Sequence, residues 1–251
     1  MGADATGRRA TRATGHVDTV GPLMMLDGVT VSGGVFSRSR LRSFCSIGSR
    51  FTGCKFEDMR VDGFTEGAGK TASVYRECSF DKTRIKRMGG GRARFEGCSF
   101  RDVSISWWMT AAVEMVDCVF TGKIAHSVFW GVPSLLDRKF FGERLNEFAG
   151  NDFSGCRMVD AGFRGGVDLR RQELPQGEGY LYVEDGAGAI EVAAGIVGGW
   201  EDEAMRRQGE IMLKILREEL SQGQEQLFLA RETGRNESIW PQLCDALRGV
   251  R

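Results

Sequence analysis

Apolar residues recur every five positions between Ser73 and Phe120. The series runs Tyr75, Phe80, Ile85, then Phe95, Phe100, Ile105, then Met115 and Phe120, broken by Gly90 and Thr110. Two residues before each member stands a second set, mostly small or apolar: Ser73, Cys78, Thr83, Met88, Ala93, Cys98, Val103, Trp108, Val113 and Cys118. Helices and strands impose periods of 3.6 and 2, so a period of five is neither. A longer period lies over it. Aromatic-x-x-Cys-x-Phe appears as Phe51-Cys54-Phe56, Tyr75-Cys78-Phe80 and Phe95-Cys98-Phe100, then as Met115-Cys118-Phe120, in steps of 24, 20 and 20 residues. Four five-residue steps therefore make one unit that cannot bury its own apolar face and must stack on its neighbours, which predicts a solenoid.

These residues resemble the pentapeptide-repeat proteins, with a large residue, often Phe, at the repeat centre from about residue 24 to 169. Cys or Ser often replaces the family's Ala, and the Asp or Asn before the centre is mostly missing, so the chain resembles a divergent member. The resemblance implies a right-handed quadrilateral β-helix with four pentads per turn. The expected fold class is thus an all-β solenoid with helical additions: an inserted helix and a C-terminal α-helical cap.

Columns follow from residues about 20 apart. One holds Phe36, Phe56, Phe80, Phe100 and Phe120, a second Leu41, Val61, Ile85 and Ile105, and a third Val31, Phe51, Tyr75, Phe95 and Met115. The fourth differs, with Ser46, Glu66, Gly90 and Thr110 at the centres and Phe44, Phe64, Met88 and Trp108 two before. This face also carries a four-residue, Gly-rich insertion between Phe64 and Ser73. Trp107, Trp108, Phe129 and Trp130 lie near this edge and are a candidate aromatic contact surface, since exposed aromatics favour interfaces; a repacked corner is the alternative.

Outward positions beside the Leu/Ile column hold Arg40, Arg60 and Arg84, with Arg38, Arg42, Lys82, Lys86 and Arg87 next to them. At strand spacing this is a basic stripe, with Arg40, Arg42, Arg60, Arg84 and Lys86 as candidate binding residues. It must be offset by solvent, by Asp62 and Asp81, by the acidic tail or by an anionic partner. Residues 24–171 carry 23 Lys/Arg against 17 Asp/Glu, and residues 172–251 carry 8 against 15, although the whole chain is neutral.

Residues 1–20, rich in Gly, Ala, Thr and Arg without an apolar run, are expected to form a flexible leader rather than a signal peptide. The repeat body is expected over 21–171. The pairing of Leu136 with Phe140 and of Phe141 with Leu145 predicts a helix inserted near 133–146 and lying against the rod. Residues 172–251 are expected to cap the solenoid: short strands within 179–200, an amphipathic helix over 201–220, and shorter helices over 227–231 and 239–250. Dimerisation through these helices is the alternative use of the tail.

The seven cysteines include Cys54, Cys78, Cys98 and Cys118 at one repeated position, which predicts reduced core thiols rather than disulfides or a metal site. His16 and His126 are too far apart in the pattern to share a role, and no glycine run has the strand-to-helix context of a phosphate loop. No cofactor, metal or enzymatic activity is expected. No segment has the roughly 18 apolar residues of a membrane span, so a cytoplasmic location without membrane partners is expected. The leading functional expectation is a non-enzymatic solenoid that binds a protein partner. Target protection, as in family members that shield a topoisomerase with an acidic DNA-like rod, is one alternative, and nucleic-acid binding through the basic stripe is another.

Overall fold

The computed structural model describes residues 14–133, 138–142, 144–231 and 237–249. The five-residue step bends the chain through four faces per coil, so each coil lies on the one before. The result is a parallel β-solenoid of about seven turns, its strands joined in one 15-stranded sheet. On one face Val31 pairs with Phe51, Phe51 with Tyr75, Tyr75 with Phe95 and Phe95 with Met115. A second face aligns Leu41, Val61, Ile85, Ile105, Ile124 and Met158. Bridges from Val35 to Lys55, Lys55 to Ser79 and Ser79 to Ser99 mark the third. Met24, Phe44, Phe64, Met88 and Trp108 mark the fourth.

Inside, like stacks on like. Phe36, Phe56, Phe80, Phe100, Phe120 and Phe153 form a pile with ring centroids 4.8, 4.9, 4.7, 4.8 and 4.4 Å apart. Rings of the neighbouring column meet this pile edge-on, as Phe51 meets Phe56 at 5.5 Å and 82°, which satisfies the geometric preference of aromatic pairs. The cysteine column has its own chemistry. Cys54, Cys78 and Cys98 each donate the thiol to a carbonyl of the previous coil, at Val31, Phe51 and Tyr75, over 3.5, 3.6 and 3.3 Å. Hydroxyls do the same: Thr83 Oγ1 donates to the Phe56 carbonyl at 2.6 Å and Ser49 Oγ to that of Leu26 at 2.9 Å. Small donors suit these positions because they both fill the corner and tie one coil to the next. All seven cysteines are free, and burial pushes the Cys156 thiol up to about 12.

Both ends of the sheet are covered. At the start, Thr14–Val20 pairs antiparallel with Leu23–Ser32 through a turn at Gly21, so residues 14–20 of the expected leader are a strand. An open first coil would expose a row of unpaired backbone groups, and the hairpin supplies their partners. Residues 1–13 lie outside the described residues. At the far end, Gln224 Oε1 accepts from the backbone N–H of Gly166 and Val167, and Gln226 Oε1 from that of Leu169, at 3.2, 3.1 and 3.0 Å. Phe228 lies edge-on to Phe163, 5.9 Å away, and closes the apolar interior.

Several expectations are corrected by these elements. The inserted helix is only α1 (Arg138–Phe141); Leu136 lies outside the described residues, and Phe140 and Leu145 are exposed rather than laid against the rod. The stretch expected to form strands over 179–200 contains one, Tyr180–Val183, followed by α2 (Gly186–Gly198). Asp185 caps α2 by accepting from the Gly188 N–H, and Ile190, Ala193 and Val197 recur at helical spacing on its buried side. The expected helix at 227–231 is instead the strand Leu227–Ala230, paired antiparallel with Tyr180–Val183; four consecutive buried residues suit a strand held on both faces. Helices α3 (Glu203–Ser221) and α4 (Trp240–Leu247) match the remaining two. With α2 they enclose a second core around Leu213, Leu216, Leu243 and Leu247.

Truncation should separate inward from outward positions. Phe80→Ala should lower stability by about 3–5 kcal/mol, and Arg60→Ala, on the exposed face, should change it by less than about 0.5 kcal/mol, as read from urea unfolding at constant m. In native protein a thiol reagent should label Cys45, which is half-buried, and reach the other six, all buried, only after denaturation.

Candidate anion-binding face

The register that stacks leucine and isoleucine inside stacks cations outside. Arg40 pairs with Arg60, Arg60 with Arg84, Arg84 with Ser104, Ser104 with Lys123 and Lys123 with Arg157. Five of these six outward positions are basic, and all five basic side chains are exposed. The sequence pattern shows the first three rungs; Lys123 escapes it because Ser104 interrupts the series and a register shift between Phe120 and Gly122 shortens the step to 19 residues, and Arg157 because the insertion before Phe148 lengthens the step to 34. At about 4.8 Å per coil the ladder is about 24 Å long.

Among the described residues the ladder forms no ion pair. None of Arg40, Arg60, Arg84, Lys123 and Arg157 has a carboxylate within 4.0 Å among them. Asp62 is taken by Lys86 at 2.7 Å, whose ammonium, hydrogen-bonded to it, holds the Asp62 carboxyl below its usual range. Asp81 accepts from Ser99 Oγ at 2.7 Å and from the Arg101 N–H at 2.8 Å. Three acids of the tail pair with other arginines: Glu219 with Arg164 at 2.7 Å, and Glu184 and Glu225 with Arg170 at 3.6 and 3.7 Å. Arg42, flanking the ladder, is exposed.

Another face shows how the same chain balances a structural cation. Arg94 there pairs with Glu96, Glu114 and Glu147 at 3.5, 2.9 and 2.8 Å, and Arg76 with Glu96 at 3.2 Å. On that face Arg94 lies opposite Glu114 and Arg76 opposite Glu96 of the next coil, whereas the ladder repeats one sign. Each adjacent pair of like charges costs about 1 kcal/mol in water before the side chains splay.

The aromatic edge divides. Trp108 and Phe129 are fully buried, which removes them from any contact surface. Trp108 points inward, edge-on to Phe95 at 6.0 Å, and Phe129 stacks on Phe163 at 5.2 Å. Trp130 is half-buried under the Arg164 guanidinium, 5.8 Å from its centroid. Trp107 is 49% exposed. It sits three residues past Ser104, at the corner of the ladder face, and stacks on His126 of the next coil with centroids 5.3 Å apart. His126 in turn bonds through Nδ1 to Asp160 Oδ2 at 2.7 Å.

A cavity of about 110 Å³ lies between the last coils and α3, walled by Met212, Leu216, Phe228 and the Arg164–Glu219 pair. Burial raises the Glu219 carboxyl, and Arg164 opposes the shift. The two charges satisfy each other there. Among the described residues no three metal-ligating side chains converge, and no helix is long and apolar enough to cross a membrane.

One buried acid stands apart. Glu66, a centre of the fourth column, is fully buried, and neither carboxyl oxygen finds a hydrogen-bond partner among the described residues; nor does Trp108 Nε1. Its backbone carbonyl accepts from Ser46 Oγ at 2.7 Å and Tyr75 Oη at 3.1 Å. The chain is locked there by close backbone passage: a Cβ on Gly67 would lie 1.8 Å from the Arg92 carbonyl oxygen, and one on Gly91 1.9 Å from that of Gly67. Burial pushes the Glu66 carboxyl up to about 8, so it is mostly protonated at neutral pH.

Against known proteins, the chain matches no family model, no curated protein and no solved structure.

Glu66 should make stability fall with alkalinity. Between its unfolded value of 4.5 and its folded value of about 8, the native state holds a proton that the unfolded state has released. Stability therefore drops by about 1.4 kcal/mol per pH unit across that window and levels off above it. Glu66→Gln should remove this slope, leaving the variant about 3 kcal/mol less pH-sensitive between pH 5 and 7 in chemical denaturation; an unchanged slope would mean the acid ionises freely in the fold.

Proposed function

We propose that this protein acts by binding, without catalysis, and that the ladder face takes an extended anionic partner. The observation that carries this reading is the row of five exposed cations left without carboxylates, in a chain that pairs Arg94 and Arg76 with glutamates on adjacent coils. Repeated like charge is unfavourable in the free protein and becomes favourable when a line of negative charge lies along it. A protein partner suited to this face carries a row of acidic side chains. The pentapeptide-repeat resemblance supports a scaffold of this kind through its five-residue step and twenty-residue coil. Shielding a topoisomerase by imitating nucleic acid calls for an acidic rod, and this face has the opposite sign.

The test is binding to heparin, a generic polyanion, as a function of salt. Wild type should bind in low salt, and affinity should fall steeply as salt rises. The double variant Arg60→Glu/Arg84→Glu should lose at least about tenfold in affinity with an unchanged thermal midpoint. Equal binding by both proteins, or by neither, would overturn the assignment.

A further inference from the structure

The ladder has a neighbour that an acidic protein segment does not call for. In the coil where the cation series is interrupted by Ser104, the corner three residues on carries Trp107, half-exposed and outward. Met109, 43% exposed, flanks it across the buried Trp108. His126 covers one face of the indole, and the other face has no ring partner among the described residues. His126 is itself tied to Asp160, so the platform is braced from the next coil and beyond.

Three extended residues span at most about 10 Å, on the order of the span from a phosphate to its own base. A cation row beside a half-exposed indole is the combination that holds single strands: the row tracks the phosphates, and a base stacks on the ring whatever its identity. A duplex keeps its bases stacked inside and offers nothing to Trp107. Resting on the anion-binding reading above, we infer that the partner is a single-stranded nucleic acid, with its phosphates along Arg40, Arg60, Arg84, Lys123 and Arg157 and one base on Trp107.

The experiment uses the full chain and a fluorescent oligothymidylate of about 20 nucleotides, compared with a duplex of the same length and with polyglutamate. The single strand should bind more tightly than either. Its log affinity should fall with log salt at a slope of up to about −3.5, the limit for five phosphate contacts on a single strand. Trp107→Ala should weaken binding by about tenfold, within the range for losing one stacked base, while Trp107→Phe should retain most of it and both variants keep the wild-type thermal midpoint. Arg60→Glu/Arg84→Glu should reduce binding of the strand and of heparin together. Ladder-dependent binding of heparin or polyglutamate, with no preference for the single strand or no effect of Trp107→Ala, would overturn the nucleic-acid assignment and leave the anion-binding reading standing. Loss of ladder-dependent heparin binding would remove both.

Discussion

The structure depends on one constraint: each residue lies directly above its counterpart one coil earlier, about 4.8 Å away. Inside, that spacing suits flat rings, and the phenylalanine pile from Phe36 to Phe153 uses it at nearly every step. Outside, the same spacing brings like charges together when a column repeats Arg or Lys. The two effects share one cause and opposite signs. A repeat that copies its interior faithfully has no physical need to copy its exterior, so the persistence of positive charge over five of six rungs is not a by-product of the packing. The paired arginines and glutamates of the Arg94 face give the contrasting case in the same molecule.

The fourth column relaxes the rule, and its departures are connected. Where the centres become Ser46, Glu66, Gly90 and Thr110, the large groups move to Phe44, Phe64, Met88 and Trp108 and fill the interior from two positions earlier. The centre then holds polar atoms near the axis. Ser46, Ser73 and Tyr75 resolve this with mutual hydrogen bonds around the Glu66 carbonyl. The Glu66 carboxyl is left without such a partner, and it remains neutral because ionising it in that setting would cost more than holding the proton.

Much of the rod was legible because its signal is periodic. A Phe every twenty residues has one geometric meaning, and the face holding Arg40, Arg60 and Arg84 follows from the same arithmetic. The pattern misleads where the count slips or the period ends. Lys123 falls out of the count because the coil after Ser104 is one residue short at a register shift, and Arg157 because the segment before Phe148 lengthens the next coil. Proximity in sequence groups Trp108 and Phe129 with Trp107, although the column of Phe44, Phe64 and Met88 assigns Trp108 to the interior. Glu66 could have been read as buried from its place between Ser46 and Thr110. In the tail, glycines in Gly186–Gly198 imitate turn signals, while the Asp185 cap and the spacing of Ile190, Ala193 and Val197 decide for a helix. The strand Leu227–Ala230 is apolar throughout, and local pattern alone does not separate such a run from a helical turn.

The capped ends bear on how the ladder face can work. An uncapped solenoid could add coils or stack end to end, and its charged column would extend with it. Here Thr14–Val20 closes one end, and Gln224, Gln226 and Phe228 close the other. The glutamine amides accept from the N–H groups of Gly166, Val167 and Leu169 in place of a further coil, and Tyr180 Oη accepts from the Met158 N–H beside the last rung. The row of charge therefore has a fixed length of about 24 Å. A rigid row of fixed length confines the partner's matching charges to a correspondingly short stretch, and the order of the binding groups is set by the fold rather than by folding on contact.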